Sequence, residues 1–260
     1  MMRTCIFCGG RPTTREHVWP EWLRRKLGSE ETMRHTGLLE RGGEVAEQWA
    51  FDDRPYKLTA KVVCAECNGG WMSRLEEAAK AILAGMIERR GRELHAGGQA
   101  ELAKWALLKA IIFDQASARE ARVLFPGLYS QLYSCGEPPR EGCRIWLTAY
   151  GGELPGFTAM TALAASAAGQ PYLGERNVCV RTFSIGPVLF QVFATSNPAL
   201  QDFEVAWDAV GPQPPRVIQI WPVGPSVRWL PEPSLTDEGI IWFANHIVAT
   251  MIQGSETFHR

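Results

Sequence analysis

Between Asn68 and Ile87, apolar residues return every three or four positions: Trp71, Met72, Leu75, Ala78, Ala79, Ile82, Leu83, Met86 and Ile87. Arg74, Glu76, Glu77 and Lys80 fall on the opposite side. That period predicts an amphipathic helix of about five turns with its charged residues in solvent. A second helix is expected over residues 100–117, where Leu102, Trp105, Ala106, Leu108, Lys109, Ile112 and Phe113 recur at the same spacing. Apolar, β-branched runs at 142–150, 178–185, 188–195 and 217–221 read as strands, with Gly186-Pro187 turning between the middle two. The segment from Ser234 to Glu238 supplies capping residues for a last helix carrying Ile240, Ile241, Phe243, Ile247 and Val248. Nearer the start, residues 13–18 read as a short extended segment. Pro20 opens a helical turn that Gly28 should stop. Stretches on either side of Gly42-Gly43 suggest a β-hairpin, and residues 56–63 a strand leading into Cys64. The charged, glycine-bearing stretch 88–98 marks a boundary. The expected fold class is therefore α+β, with a first unit at 1–95 and a mixed α+β accessory unit at 96–260.

Composition narrows the class. A chain of 260 residues with 46% hydrophobic content can bury one large core or two small ones. It has no apolar run of eighteen residues, and its first residues lack the apolar core of a signal peptide, which points to the cytoplasm. The net charge of -1 argues against a protein that coats nucleic acid. Locally the balance differs: Arg3, Arg11, Arg15, Arg24, Arg25 and Lys26 face only Glu16 and Glu21 within the first 27 residues, a local excess of four positive charges. Such a patch can position phosphates, although Arg24-Arg25-Lys26 alone reads equally well as a solvated helix face.

Cysteine spacing changes the picture more. Four of the seven cysteines form two C-x-x-C pairs, Cys5/Cys8 and Cys64/Cys67. Glycines follow both pairs, so the backbone can fold around an ion, and in a reducing compartment such pairs serve metals rather than disulfides. Cys5, Cys8, Cys64 and Cys67 are the predicted ligands of a structural zinc. Cys135, Cys143 and Cys179 lack this spacing and are read as buried small hydrophobes. Bracketed by the pairs lies Arg15-Glu16-His17-Val18-Trp19-Pro20, and Asn68 follows the second pair directly. Phosphodiester cleavage needs a base for water, a cation for the developing charge and oxygen ligands that suit magnesium or manganese. Glu16 and Asn68 offer such ligands and His17 an imidazole. Neighbours on a strand point to opposite faces, so Glu16 and His17 converge only if the backbone bends or His17 reaches across.

With these residues in view, residues 5–90 resemble the HNH, or ββα-metal, endonucleases that carry structural zinc pairs. The resemblance implies a zinc-stapled ββα-metal module, with His17 as general base and Glu16 and Asn68 holding a catalytic Mg2+ or Mn2+. Arg15 is a candidate phosphate clamp. The family more often has Asp where this chain has Glu16, and Thr59 stands near the position of its middle Asn. Glu76 or Glu77 could approach the metal, but charges there are more simply solvated. DNA is the expected partner, in a restriction or phage-defence setting; RNA stays open as a substrate, and the C-terminal part leaves room for a homodimer or partner protein.

Two alternatives remain. A non-catalytic zinc-ribbon protein binding nucleic acid or protein would keep the cysteines without needing Glu16 or His17. A separate enzyme in the second part lacks support, because no nucleophile elbow, phosphate loop or metal cluster occurs there, and Gly97-Gly98 and Gly151-Gly152 read as isolated turns. Trp146, Trp221, Trp229 and Trp242 read as core or interface residues, and His35, His95, His246 and His259 carry no metal spacing.

Overall fold

Helix α4 (Ala96–Ala116) is apolar around most of its circumference, so it can be stable only as the centre of a core. The computed structural model describes residues 4–11, 14–28, 32–41, 44–53, 58–117, 122–166, 174–205, 207, 216–229 and 232–257. Among them α4 is buried from Leu102 to Asp114 at all but one position, Lys104. It lies against one face of a seven-stranded sheet and is flanked by α3 (Ser73–Ile87) and by α5 (Pro126–Cys135). The helix begins at Ala96 rather than at residue 100, so Gly97-Gly98 belong to its first turn.

The sheet contains β2 (Met33–Arg41), β3 (Glu44–Asp53), β6 (Cys143–Ala149), β7 (Phe157–Leu163), β8 (Val178–Ile185), β9 (Val188–Thr195) and β10 (Ile218–Trp221). Its order is β10-β6-β9-β8-β7-β2-β3, antiparallel except for the parallel β2/β7 pair. On β6 to β9, four of the five inner strands, every residue is buried, because both faces are covered. Ile145, Leu147, Phe183 and Phe190 point into the core shared with α4. Trp146, Val180 and Phe193 point the other way, toward Ile247 and Val248 of the final helix α6 (Asp237–Thr257). The strand period of two thus builds three layers. Thr236 caps α6, its hydroxyl accepting from the Gly239 amide at 3.3 Å.

The β2–β3 hairpin falls between the two halves of the site in sequence, as its pattern implied, but it extends the large sheet by pairing with β7. Within the stretch 88–98, β5 (Arg92–Leu94) pairs with β11 (Val227–Trp229). Both the sheet and the main core therefore cross residue 95. Cys143 and Cys179 are buried as expected. Cys135 is not: it ends α5 at the surface. Trp146, Trp221 and Trp229 are core residues, and Trp242 packs partly buried against Trp207 and His246. His259 and the predicted strand's residues 56–57 lie outside the described residues. No helix among the described residues is long and apolar enough to cross a membrane.

Candidate functional site

Val18 and Trp19 anchor the first half of the site. Both are buried, and the Trp19 ring meets Phe113 of α4 edge-on at 5.1 Å and Phe183 of β8 at 5.5 Å. Burying these two side chains is worth several kcal/mol by area, roughly 1.5–3 kcal/mol for each large apolar side chain. It fixes the two residues just before them, Glu16 and His17, on β1 (Thr14–His17). Strand β1 pairs antiparallel with β4 (Thr59–Val63). Between Thr14 and Glu16 the register slips, the partner moving from Val63 to Ala60, so the pair is irregular where a bend was allowed for. Glu16 and His17 consequently border one cavity although they alternate in burial along the strand. Thr59 stands opposite His17.

The chain leaves β4 through Cys64 into the helical turn α2 (Ala65–Cys67) and a wide turn, Asn68–Met72, before α3. The wide turn is broken at Gly70, whose φ of -95° and ψ of -108° are not helical. This break sets Asn68 beside β1, where its amide donates to Thr14 Oγ1 at 3.2 Å. Thr14 Oγ1 donates in turn to the Val63 carbonyl at 3.1 Å. Asn68 could equally have capped the following helix; instead its side chain reaches across to the strand. The cavity, about 490 Å³, is bordered by Glu16, His17, Asn68, Gly69, Ser73 and Glu76 among others. The antiparallel pair followed by a helix thus gathers the predicted acid, imidazole and carboxamide around one space. Arg15 is exposed and does not border it.

Beside this space the two cysteine pairs converge. The sulfur atoms of Cys5, Cys8, Cys64 and Cys67 all lie within 4.8 Å of one another, with Cys8 and Cys64 at 3.5 Å. A tetrahedron of zinc–sulfur bonds near 2.3 Å has edges of about 3.8 Å, whereas a disulfide needs roughly 2.0 Å. The four thiols therefore have the size of a metal site and could bind a metal such as zinc. Gly9, at a φ of +75°, lets the first pair turn back so that its amide reaches the Cys5 carbonyl at 2.9 Å. The Ile6 amide ties the turn to Val62 of β4, and Phe7 packs edge-on against Trp71 at 4.9 Å. Burial pushes the Cys5 thiol up, but the amides of Cys8, Phe7 and Cys64 together outweigh it and bring it down to about 7. Cys8 and Cys67 shift the other way, Cys67 chiefly through burial and both through neighbouring thiols, so in the absence of a cation the cluster holds its negative charge mainly on Cys5.

One feature of the site was not foreseen. Lys109 of α4 is fully buried beneath the cavity, with its ammonium 3.7 Å from Glu16 Oε1 and in direct contact with Glu76 Oε1. Glu76 also accepts from the Trp105 indole at 2.9 Å. Glu16 is 13% exposed and Glu76 15%, so these contacts lie below the surface and escape most solvent screening. Glu76 is therefore part of the site rather than a solvated charge; Glu77, three-fifths or more exposed, pairs with Lys80 as a surface residue does. Burial raises the Glu16 carboxyl above its ordinary range, Lys109 opposing the shift and Glu76 adding to it. The signal was in the sequence: Lys109 sits inside the apolar stripe of its helix, a place where lysine is stable only with acidic partners. The basic patch is thinner than its composition implied, since Arg24 pairs with Glu21 and Lys26 with Glu88.

In comparisons with known proteins, no family model, no curated protein and no solved structure matches this chain.

Proposed function

We propose that this protein is a metal-dependent endonuclease of the HNH type that hydrolyses DNA phosphodiester bonds. The observation that supports the reading is the convergence of Glu16, His17 and Asn68 on one cavity beside a four-cysteine cluster, on two antiparallel strands followed by a helix. His17 is exposed at the cavity, so its imidazole can take a proton from an attacking water. Glu16 and Asn68 offer a carboxylate and a carboxamide oxygen to a divalent cation, a donor set that suits magnesium or manganese. Such an ion, when bound, supplies the charge that offsets the phosphorane and the leaving oxygen. Glu76 borders the same space and adds a second carboxylate, while Lys109 beneath balances part of their charge. The four-cysteine cluster fastens the first turn to β4 and so holds the strand pair in shape.

A non-catalytic zinc scaffold is the second reading. It is favoured by one observation: Lys109 already partners Glu16, and Asn68 already bonds Thr14, so neither group requires a metal. Supercoiled plasmid decides between the two. The full chain with Mg2+ or Mn2+ is expected to nick it, and His17→Ala to abolish nicking while thermal unfolding is unchanged. Equal cutting by wild type and His17→Ala, or no cutting by either in both metals, would leave the scaffold.

A further inference from the structure

Away from this site, Arg181 of β8 is buried at 5% exposure, yet among the described residues no carboxylate forms an ion pair with it. Its Nη2 donates to Met160 Sδ at 3.0 Å, its guanidinium lies over the Phe113 ring at 5.3 Å, and its Nε meets no acceptor. Asp114, whose carboxylate accepts from the amides of Val123 and Leu124 and from the Tyr129 hydroxyl, acts on it electrostatically without an ion-pair contact, so Arg181 has a counter-charge nearby but no anion touching it. Arginine does not shed its proton to escape such a position, and an unpaired buried cation is costly. Natural cores keep one where something else neutralises it.

Arg181 borders a cavity of about 450 Å³, large enough for a small organic molecule. His35, Trp49, Phe51 and Phe113 bring rings to its walls, alongside threonine and serine hydroxyls, Glu47 and aliphatic side chains. His35, also buried, stacks on Phe51 at 4.9 Å with 19° between planes, and its Nδ1 is 2.8 Å from Thr158 Oγ1. Trp49 lies across Gly37 of the neighbouring strand so closely that a Cβ there would fall 2.0 Å from the indole. Only glycine lets this wall stand where it does. Glu47, exposed, also borders the cavity and sets one negative charge against any anion bound there.

We propose that this cavity binds a small organic anion, a carboxylate or phosphate carried on a flat ring. The anion pairs with Arg181, and the ring lies among Trp49, Phe51 and Phe113. Charge-assisted pairing with a guanidinium supplies affinity and aromatic walls supply shape. The test uses the full chain with benzoate and phenyl phosphate, which separate the two anion types, and benzamide and acetate as controls lacking the charge or the ring. Benzoate, phenyl phosphate or both should raise the unfolding temperature and give a saturable calorimetric titration, with benzamide and acetate inert. Arg181→Met should weaken that binding at least about tenfold, the scale of one charged hydrogen bond. Should Arg181→Met not fold, Phe51→Ala, whose side chain is half exposed on the edge strand β3, carries the same expectation. Absence of a response to both ring anions, an equal response to benzamide or acetate, or undiminished binding by the folded variants overturns the proposal.

Discussion

Replacing Lys109 by Met keeps the length of the side chain and removes the cation that, among the described residues, pairs with both Glu16 and Glu76. At 3.7 Å and an effective dielectric constant of about 20, the Lys109–Glu16 attraction alone amounts to roughly 4–5 kcal/mol of Coulomb energy. Breaking a buried pair by deleting one partner costs about 3–5 kcal/mol, because the remaining charge stays buried without compensation. Lys109→Met is therefore expected to lose about 3–5 kcal/mol of stability near neutral pH. The dependence on pH follows from Glu16, whose folded-state carboxyl is raised above the ordinary 4.5, chiefly by burial. A raised carboxyl binds its proton more tightly in the folded chain than in the unfolded one. Its effect is thus a loss of stability as pH climbs from below 4.5 through the folded value. Without Lys109 that value rises further, so the difference between variant and wild type should be smallest below 4.5 and grow to its full size above it. Urea unfolding followed by tryptophan fluorescence, at about pH 4 and about pH 7, measures both quantities. Adding Glu16→Gln and Glu76→Gln to Lys109→Met should recover most of the loss, since no charge is then left buried. A loss under about 1 kcal/mol at pH 7, or the same loss at both pH values, would refute the reasoning.

Two further outcomes are expected. The purified chain should carry one zinc ion, held by Cys5, Cys8, Cys64 and Cys67; stripping it with a chelator should lower the unfolding temperature, and Cys64→Ala should lower metal content measured by mass spectrometry to near zero. Iodoacetamide at mildly alkaline pH should label Cys135, which is exposed, and spare Cys143 and Cys179, whose thiols burial pushes up to about 12. Peptide mapping that finds Cys143 or Cys179 modified in the folded chain would contradict the burial assigned to them.

Strands β8 and β9 match their apolar runs residue for residue, because a fully covered strand writes itself as a continuous β-branched and aromatic segment. Strand β7 does not. Between its end residues Phe157 and Leu163 it holds threonine, alanine and methionine without alternation, and its parallel partner β2 lies more than a hundred residues away. Local pattern carries no record of such a pairing. Helix α5 did carry signals, a proline at its first turn and Gly136 in the left-handed conformation after its end. The cysteine cluster was legible because metal geometry imposes strict spacing. Glu16, His17 and Asn68 were legible as a group through their placement between and just after the cysteine pairs, the pattern that carries the resemblance, but what lies under them was not: Lys109 comes from a helix that pattern assigned to a different unit, and Glu76 from a face that amphipathicity assigned to solvent. Arg15, offered as a phosphate clamp, does not border the cavity, although strand alternation alone would group it with His17; the irregular pairing between Thr14 and Glu16 leaves no simple alternation to read there.

The proposed nuclease chemistry requires Glu16 and Asn68 to hold a divalent ion in the cavity that His17 borders. Crystals of the full chain soaked in Mn2+ and measured at the manganese absorption edge test this directly. The account predicts an anomalous peak bounded by the Glu16 carboxylate and the Asn68 carboxamide, distinct from any zinc peak at the four cysteines and absent in Glu16→Gln crystals. Full manganese occupancy elsewhere with nothing between Glu16 and Asn68 would contradict it.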